Sequence, residues 1–452
     1  MLDTYGECQV KDFSDQNKPN LPIKIRNVVT VGLVSMNGIG DSLQYCVMNK
    51  LINEVISDPN ITFISPDAQA WHNVSEDLDM PACLINSNLN MRSIVKQFLT
   101  PNVAGRLPKR HLSKGQKTRT KTTKSKKLSV AKKPIKKIME NCYRSYSYTK
   151  YVAIPYLKKI YSINAPYAAG MVGGHTVCHN IDKYIAYYKA VRSVVPCGPI
   201  VTSPISISAL SIKNNATLKR LKKSLAAFDH IFVRGSHTLK IIQDLDINTN
   251  VDVALDNGFG LKLLYPEVLN PDFSNKKSLR IIIIPRKQYF EHNDKMGLYK
   301  PYLESLVNFI LWAFEKHDAE IYIALQIVNR RVAKKSSGIE DLIELFEKKK
   351  QNNQQMKQLN VFYPTNIKDA YEFYSSADLV VSSYMHGGIM HMAAGVPVVF
   401  IAPLTDVKIV DNLTTLNLNQ NHFFIDMFDE KQLTPQNLIE KTSNIIENLR
   451  LL

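Results

Sequence analysis

Residues 378–401 read DLVVSSYMHGGIMHMAAGVPVVFI. An apolar strand ends in Ser382-Ser383. His386 then opens a Gly-Gly helix near 386–394, and a Gly-Val-Pro turn leads into a second apolar strand at 396–401. Strands that are apolar throughout, rather than at alternate positions, are buried on both faces, as in a parallel sheet covered by helices. Strand, helix and strand within 24 residues make a βαβ unit.

The same grammar runs in both directions. Upstream come a strand at 279–284 (LRIIII), a helix at 301–316 with Leu303, Leu306, Val307, Ile310 and Phe314 on one face, and a strand at 319–325. A helix near 338–350, a strand at 359–363 and a helix at 366–376 complete that series. Near the start, 27–35 (NVVTVGLVS) reads as a buried strand, 36–40 (MNGIG) as a turn and 41–56 as a helix with Leu43, Val47, Leu51 and Val55 at helical spacing. Further strands are predicted at 62–65, 167–173, 199–203, 229–234 and 250–255, with a helix at 235–244. The pattern predicts two doubly wound, Rossmann-like α/β domains. They span 24–262 and 275–430, with a linker at 262–277 and a C-terminal helix within 431–452, where Thr434 suits the cap and Pro435 the first turn.

Composition bounds the function. The chain has 452 residues, 45% apolar and 21% charged, which excludes a mainly disordered or collagen-like chain. Its apolar runs are far short of the ~20 residues of a membrane span. Six scattered cysteines form no CxxC pair, so reduced thiols in a cytoplasmic protein are expected, and no metal site. The net charge of +17 is concentrated in 105–138, which holds 14 Lys or Arg and no acid, inside an insertion at 85–140; the rest of the chain carries about +3. A Lys/Thr/Ser segment buries too little surface to order its backbone, so a disordered loop is expected there. Beside a plain solvated loop stand three partners: nucleic acid, an anionic membrane surface and a polyanionic substrate. Nucleic acid is disfavoured because no aromatics are interleaved for base stacking.

The candidate chemistry lies at strand ends. In Asn37-Gly38-Ile39-Gly40-Asp41 the glycines permit close approach to a ligand beside a helix N-terminus; Asp41 is either functional or a helix cap. Gly173-Gly174 ends another strand, and His175 is a ligand contact or a turn residue. Arg234 and Arg286 each end a strand, placed to grip a phosphate or carboxylate or else to form a salt bridge. His386 is a general acid or base, an anion contact, or a satisfied core histidine; His391 is five residues on and forms no metal pair with it.

These motifs together resemble the polysaccharide pyruvyl transferase family, two-domain α/β proteins of glycosyltransferase-B-like architecture. The likeness spans most of 27–430 outside the basic insertion. It rests on Asn37 to Asp41, Gly173-Gly174, Val233-Arg234-Gly235-Ser236 and Leu255-Asp256. Its strongest part is Ser382-Ser383-Tyr384-Met385-His386-Gly387 followed by Ala393-Ala394-Gly395-Val396-Pro397; Lys408 matches a downstream lysine. The resemblance implies transfer of a pyruvyl group from phosphoenolpyruvate to a sugar or lipid-linked glycan as a ketal, without a cofactor. Arg234 would hold the donor, His386 would protonate the enol carbon or stabilise developing charge, and Asp41 or Asp256 would assist the sugar hydroxyls, with Asn37, Gly38, Gly40, Gly173, Gly174, Arg286, Ser382, Ser383, Tyr384 and Lys408 as further substrate contacts. Two positions depart from the family pattern: its signature arginine is Tyr384 here, and its Arg-Asp pair is Arg234-Gly235. Arg286, Lys287 or Lys408 is left to replace the missing cation. A sugar-nucleotide glycosyltransferase of the same architecture is the alternative reading, and a non-catalytic relative binding an anionic partner is a third.

Overall fold

The computed structural model of the chain describes residues 27–31, 39–56, 60–64, 168–172, 176–177, 198–208, 215–268, 278–326, 330–350, 358–418 and 423–451, with single positions between 188 and 195. Asn37, Gly38, Gly173, Gly174, His175 and the whole of the 85–140 insertion lie outside the described residues.

Two six-stranded parallel sheets carry the fold. The first has strands β1 (Asn27–Val31), β2 (Asn60–Ile64), β3 (Ala168–Val172), β5 (Ile200–Thr202), β7 (His230–Val233) and β8 (Asn250–Val253), in the order β2-β1-β3-β5-β7-β8. A short parallel pair, β4 (Thr176–Val177) and β6 (Ser206–Ile207), stands beside it. The second has β9 (Arg280–Ile284), β10 (Glu320–Ala324), β11 (Asn360–Phe362), β12 (Leu379–Ser382), β13 (Val398–Ala402) and β14 (Phe424–Asp426), ordered β11-β10-β9-β12-β13-β14. In the first sheet the chain reverses direction between β1 and β3, and in the second between β9 and β12. Such reversals open a crevice at the carboxyl ends of the strands, where ligands bind in doubly wound sheets. Val31 pairs with Val172 and Ile284 with Ser382 at those ends. The turns beginning after β1, β3, β9 and β12 therefore start from the two crevices.

The helices are α1 (Ile39–Val55), α2 (Asn215–Leu225), α3 (Ser236–Asp244), α4 (Leu261–Leu264), α5 (Gln288–His292), α6 (Tyr299–His317), α7 (Arg330–Ser337), α8 (Ile339–Lys350), α9 (Ile367–Ser375), α10 (Met385–Ala393), α11 (Val407–Thr415) and α12 (Pro435–Leu451). The period of two along a strand divides the second sheet's core into two layers. Ile281, Ile283, Ile321, Ile323, Leu379 and Val381 pack on α6, α8 and α12. Ile282, Ile284, Val380, Val398 and Phe400 face α9, α10 and α11. The second layer also takes in Leu43, Cys46 and Val47 of α1, so the first helix of the N-terminal half is built into the C-terminal core. Between α1 and α10 the segment 256–261 is tightly pinched. A Cβ on Gly258 would lie 2.7 Å from Ile389, and one on Gly260 would lie 2.5 Å from Val47.

The sequence reading differs from the structure in three places. Helices α2, α4, α5, α7 and α11 and strands β4, β6 and β14 are not among the elements the sequence pattern predicts. The linker expected at 262–277 is packed at its start: Tyr265 and Val268 are buried with α1 and α9. The C-terminal helix, expected as a separate piece, buries Leu438 and Ile446 in the α6 layer. Cys46 is a buried free thiol. Among the described residues no helix is long and apolar enough to cross a membrane.

Helix α10 yields two predictions. A Cβ on Gly388 would stand 2.2 Å from Phe400 of β13, too close for a rigid ring in a buried strand to accommodate. Gly388→Ala is expected to cost about 1–3 kcal/mol through overpacking, read as a lower urea midpoint with an unchanged far-UV spectrum; an unchanged midpoint refutes the packing. His391, on the same helix, is fully buried and stacked on Tyr374 at 4.3 Å, with Nδ1 paired to the Gly387 carbonyl. Burial pushes its imidazole down to about 3. Between that value and the ordinary ~6.5, the unfolded chain binds a proton that the folded chain refuses, so stability falls as the pH is lowered through this window. The stability advantage of the native chain over His391→Phe should therefore shrink from pH 7.5 to pH 4.5. Parallel denaturation curves across that range contradict it.

Candidate active site

The turn between β12 and α10 is built by two buried serines. Ser382 Oγ accepts the Tyr384 N–H at 3.1 Å and donates to the Tyr384 carbonyl at 2.8 Å. Ser383 donates its N–H to Ile284 O at 2.9 Å and pairs through Oγ with the Tyr302 hydroxyl at 2.9 Å. Expected as substrate contacts, both hydroxyls are instead spent on holding the turn, with 0% and 2% of the residues exposed. The turn delivers His386 to the first turn of α10 with its side chain 19% exposed.

His386 Nε2 lies 2.7 Å from Gln44 Nε2 and 3.9 Å from Asp256 Oδ1. Asp256, at the carboxyl end of β8, is the hub. Its Oδ2 lies 2.6 Å from Arg234 Nε and accepts from Gln44 Nε2 at 3.1 Å, while Oδ1 accepts the Gly258 N–H at 2.9 Å. Arg234, for which the sequence leaves a grip on a phosphate or carboxylate and a salt bridge both open, is 1% exposed and takes the salt bridge. A guanidinium withdrawn from water needs a carboxylate beside it, and Asp256, at the end of the neighbouring strand, provides one. By the same token Asp256 is occupied on both oxygens and does not stand open to a sugar hydroxyl. Arg234 and His386 are nonetheless joined through Asp256 into one array.

The C-terminal half closes on that array through α11. Asn412 Oδ1 accepts the Asp256 N–H at 3.4 Å, and Thr415 Oγ1 donates to the Arg234 carbonyl at 3.0 Å. Asp411 accepts from the His237 N–H at 3.2 Å and the Thr238 hydroxyl at 3.3 Å at the start of α3. Burial pushes the Asp411 carboxyl up. A Cβ on residue 235 would sit 2.4 Å from Asp411 Cβ, so Gly235, where the family pattern has an aspartate, leaves the room that α11 takes.

The second cluster lies at the end of β9. The Arg286 guanidinium stands 3.9 Å from the Tyr289 ring centroid and 4.5 Å from that of Tyr384. The residue that replaces the family arginine thus forms one wall of a stack that holds another arginine. Burial pushes the Tyr289 hydroxyl well up, and it donates to Asp406. Lys408 Nζ is 3.6 Å from Asp406 Oδ2. Lys287, the third candidate cation, is drawn away to Asp341 at 2.9 Å.

Gly40 and Asp41 are the second and third residues of α1, so Asp41 is not the residue preceding the helix; its side chain lies outside the described residues, as do Asn37, Gly38, Gly173 and Gly174. Gln44, Tyr289, Tyr302, Asp411 and Asn412 are the members that sequence reasoning missed. Gln44 had a signal: it is a polar residue beside Leu43 and Val47 on a helix that is buried from Leu43 to Asn49.

The comparisons agree with this architecture. Staphylococcus aureus MnaA, solved with UDP, superposes with a TM-score of 0.52 at 10% identity, over 94% of this chain and 89% of that one. The UDP-GlcNAc 2-epimerase of Neisseria meningitidis, bound to UDP-GlcNAc, gives 0.50 at 13% identity, over 93% and 91%. At such identities the likeness shows the fold alone, which is glycosyltransferase-B-like. No curated protein matches the sequence. The family model described as polysaccharide pyruvyl transferase matches residues 39–404, a span that holds Gln44, Arg234, Asp256, Arg286 and His386. The chain belongs to the polysaccharide pyruvyl transferase family and is a transferase acting in polysaccharide modification.

Proposed function

We propose that this protein transfers the pyruvyl group of phosphoenolpyruvate onto two hydroxyls of one sugar in a cell-surface or lipid-linked glycan. The observation that carries the reading is the pair of clusters at the switch of the second sheet: His386 on its array after β12, and Arg286 stacked on Tyr384 after β9. The donor is a small acid with a carboxylate and a phosphate, and a fixed guanidinium suits either group. Arg286 fits that task better than Arg234, whose charge is consumed by Asp256.

The chemistry balances simply. The methylene carbon gains one proton and becomes a methyl group, and the central carbon forms bonds to two sugar oxygens. Inorganic phosphate leaves with the carbon–oxygen bond to the phosphate oxygen broken. Of the two hydroxyl protons released, one ends on carbon and the other on phosphate. Charge builds on the central carbon and on the departing phosphate, and His386, at a helix N-terminus, would meet that phosphate. Asp41 remains a candidate for the sugar hydroxyls. The basic segment 105–138 would draw in a polyanionic glycan or the anionic cytoplasmic face of a membrane that carries it.

A donor screen tests this. Phosphate release is followed with phosphoenolpyruvate and with UDP-sugars over a panel of glycan acceptors. Turnover with phosphoenolpyruvate is expected, reduced about 10²–10⁴-fold in His386→Asn. Arg286→Ala should raise the KM for phosphoenolpyruvate about tenfold or more, the worth of one charge-assisted hydrogen bond. Turnover with UDP-sugars and none with phosphoenolpyruvate would establish the glycosyltransferase reading instead.

A further inference from the structure

Gln44 lies outside the family motifs, yet its side chain touches His386 itself. Its side chain is 1% exposed, on the second turn of α1, and a single atom, Nε2, reaches both Asp256 Oδ2 at 3.1 Å and His386 Nε2 at 2.7 Å. An amide nitrogen has two hydrogens and only donates; a carboxylate only accepts. Asp256 therefore fixes which way the amide faces. Turned over, the amide would set its oxygen against Asp256. Its NH2 would then fall where, among the described residues, Oε1 meets no partner. Asp256 in turn cannot swing away, because Arg234 and the Gly258 N–H hold it and Asn412 holds its backbone.

We infer that Gln44 is a positioning residue that fixes His386 as the neutral ring with its proton on Nδ1. The second hydrogen of Nε2 points at His386 Nε2, which must receive it on a lone pair. A ring nitrogen bonded this way carries no proton, so the proton sits on the other nitrogen. A carboxylate at this place would do the opposite, holding the hydrogen on Nε2 and favouring the imidazolium. Among the described residues the nearest carboxylate oxygen, Asp256 Oδ1, stands 3.9 Å away, beyond hydrogen-bond reach, and the Gln44 amide occupies the shorter approach. This deepens the proposed function and rests on it in one respect only: of the two roles open to His386 in pyruvyl transfer, it selects stabilising developing charge over protonating the enol carbon.

Nitrogen-15 spectra of histidine-labelled native protein at pH 7 test the tautomer directly, with His386 assigned from the signals lost in His386→Asn. A pyrrole-like Nδ1 and a pyridine-like Nε2 are expected. In Gln44→Glu, which accepts where glutamine donates, the proton should move to Nε2 or the ring should become charged. In Gln44→Met, close in length but without a donor, the two tautomers should mix; in turnover, kcat should drop about tenfold to a hundredfold with KM for the donor little changed, the mark of a group acting in the transition state. A native His386 protonated on Nε2, or one whose signals ignore Gln44→Glu in a folded variant, overturns the inference. The spectra need no substrate. If phosphoenolpyruvate is not turned over while the tautomer is as stated, the proposed function fails and the positioning role stands.

Discussion

Arg234 and Asp256 end neighbouring strands of the first sheet, and both are withdrawn from water at a separation of 2.6 Å. Removing two charges from solvent costs several kcal/mol for each ion, and their attraction offsets this only when the remaining hydrogen-bonding capacity is met. Here the neighbours share that work. The Gly258 N–H and the Gln44 amide complete the carboxylate, while Thr415 and Asn412 bind the backbone on either side. Taking away either partner would leave the other charged and buried, so the pair must form together with the segments that surround it. Those segments come from α1, from the 256–258 turn and from α11, that is, from both halves of the chain. The ion pair thus fixes the geometry of the seam between the domains, and the site inherits its precision from it.

The parts of this arrangement that sequence could supply were those set by local pattern. Strands β9, β12 and β13 are unbroken apolar runs because helices cover both faces of their sheet. Helix α11 escaped notice for a corresponding reason. Only Ile409 and Leu413 of its buried positions are apolar, and Asp411 and Asn412 are buried and polar because they serve the opposite domain. A helix whose inner face is made for a polar seam does not advertise an apolar stripe. The sequence leaves the role of Arg234 open because a cation at a strand end is equally fit for a ligand or for a carboxylate. What decides is the pairing of β7 with β8, which brings the ends of both strands together. Each end is legible in the sequence by itself; their adjacency is a fact of topology, not of either motif.

The two departures from the family pattern become intelligible as space-filling. Tyr384 removes a cation from the turn after β12, but its ring faces the turn after β9, where Arg286 lies between it and Tyr289. An arginine between two aromatic rings keeps its planar fork in one orientation at little entropic cost, which a free arginine on a turn does not. A cation thus stands at the end of the neighbouring strand, across the same crevice. Lys287, one residue on, shows that sequence proximity alone would not have sufficed, since its ammonium turns toward Asp341 and the Tyr299 ring.

Gly235 follows a similar logic at the seam. The family's carboxylate after the arginine is gone, and the vacated space admits the backbone and side chain of Asp411, whose carboxylate meets the first N–H groups of α3 from the other domain. A carboxylate at a helix N-terminus is favourable in either arrangement. Supplied from within the same turn, it would stabilise α3 whatever the position of the second domain. Supplied by α11, it does so only when the domains are together. The same helix carries Asn412 to Asp256 and begins beside Asp406, which binds Tyr289 under Arg286. Parting the domains would therefore uncap α3, release the backbone of Asp256 and shift the support of Arg286 in one motion. The histidine array and the arginine stack lie at opposite ends of one helix, and the arrangement that completes one completes the other.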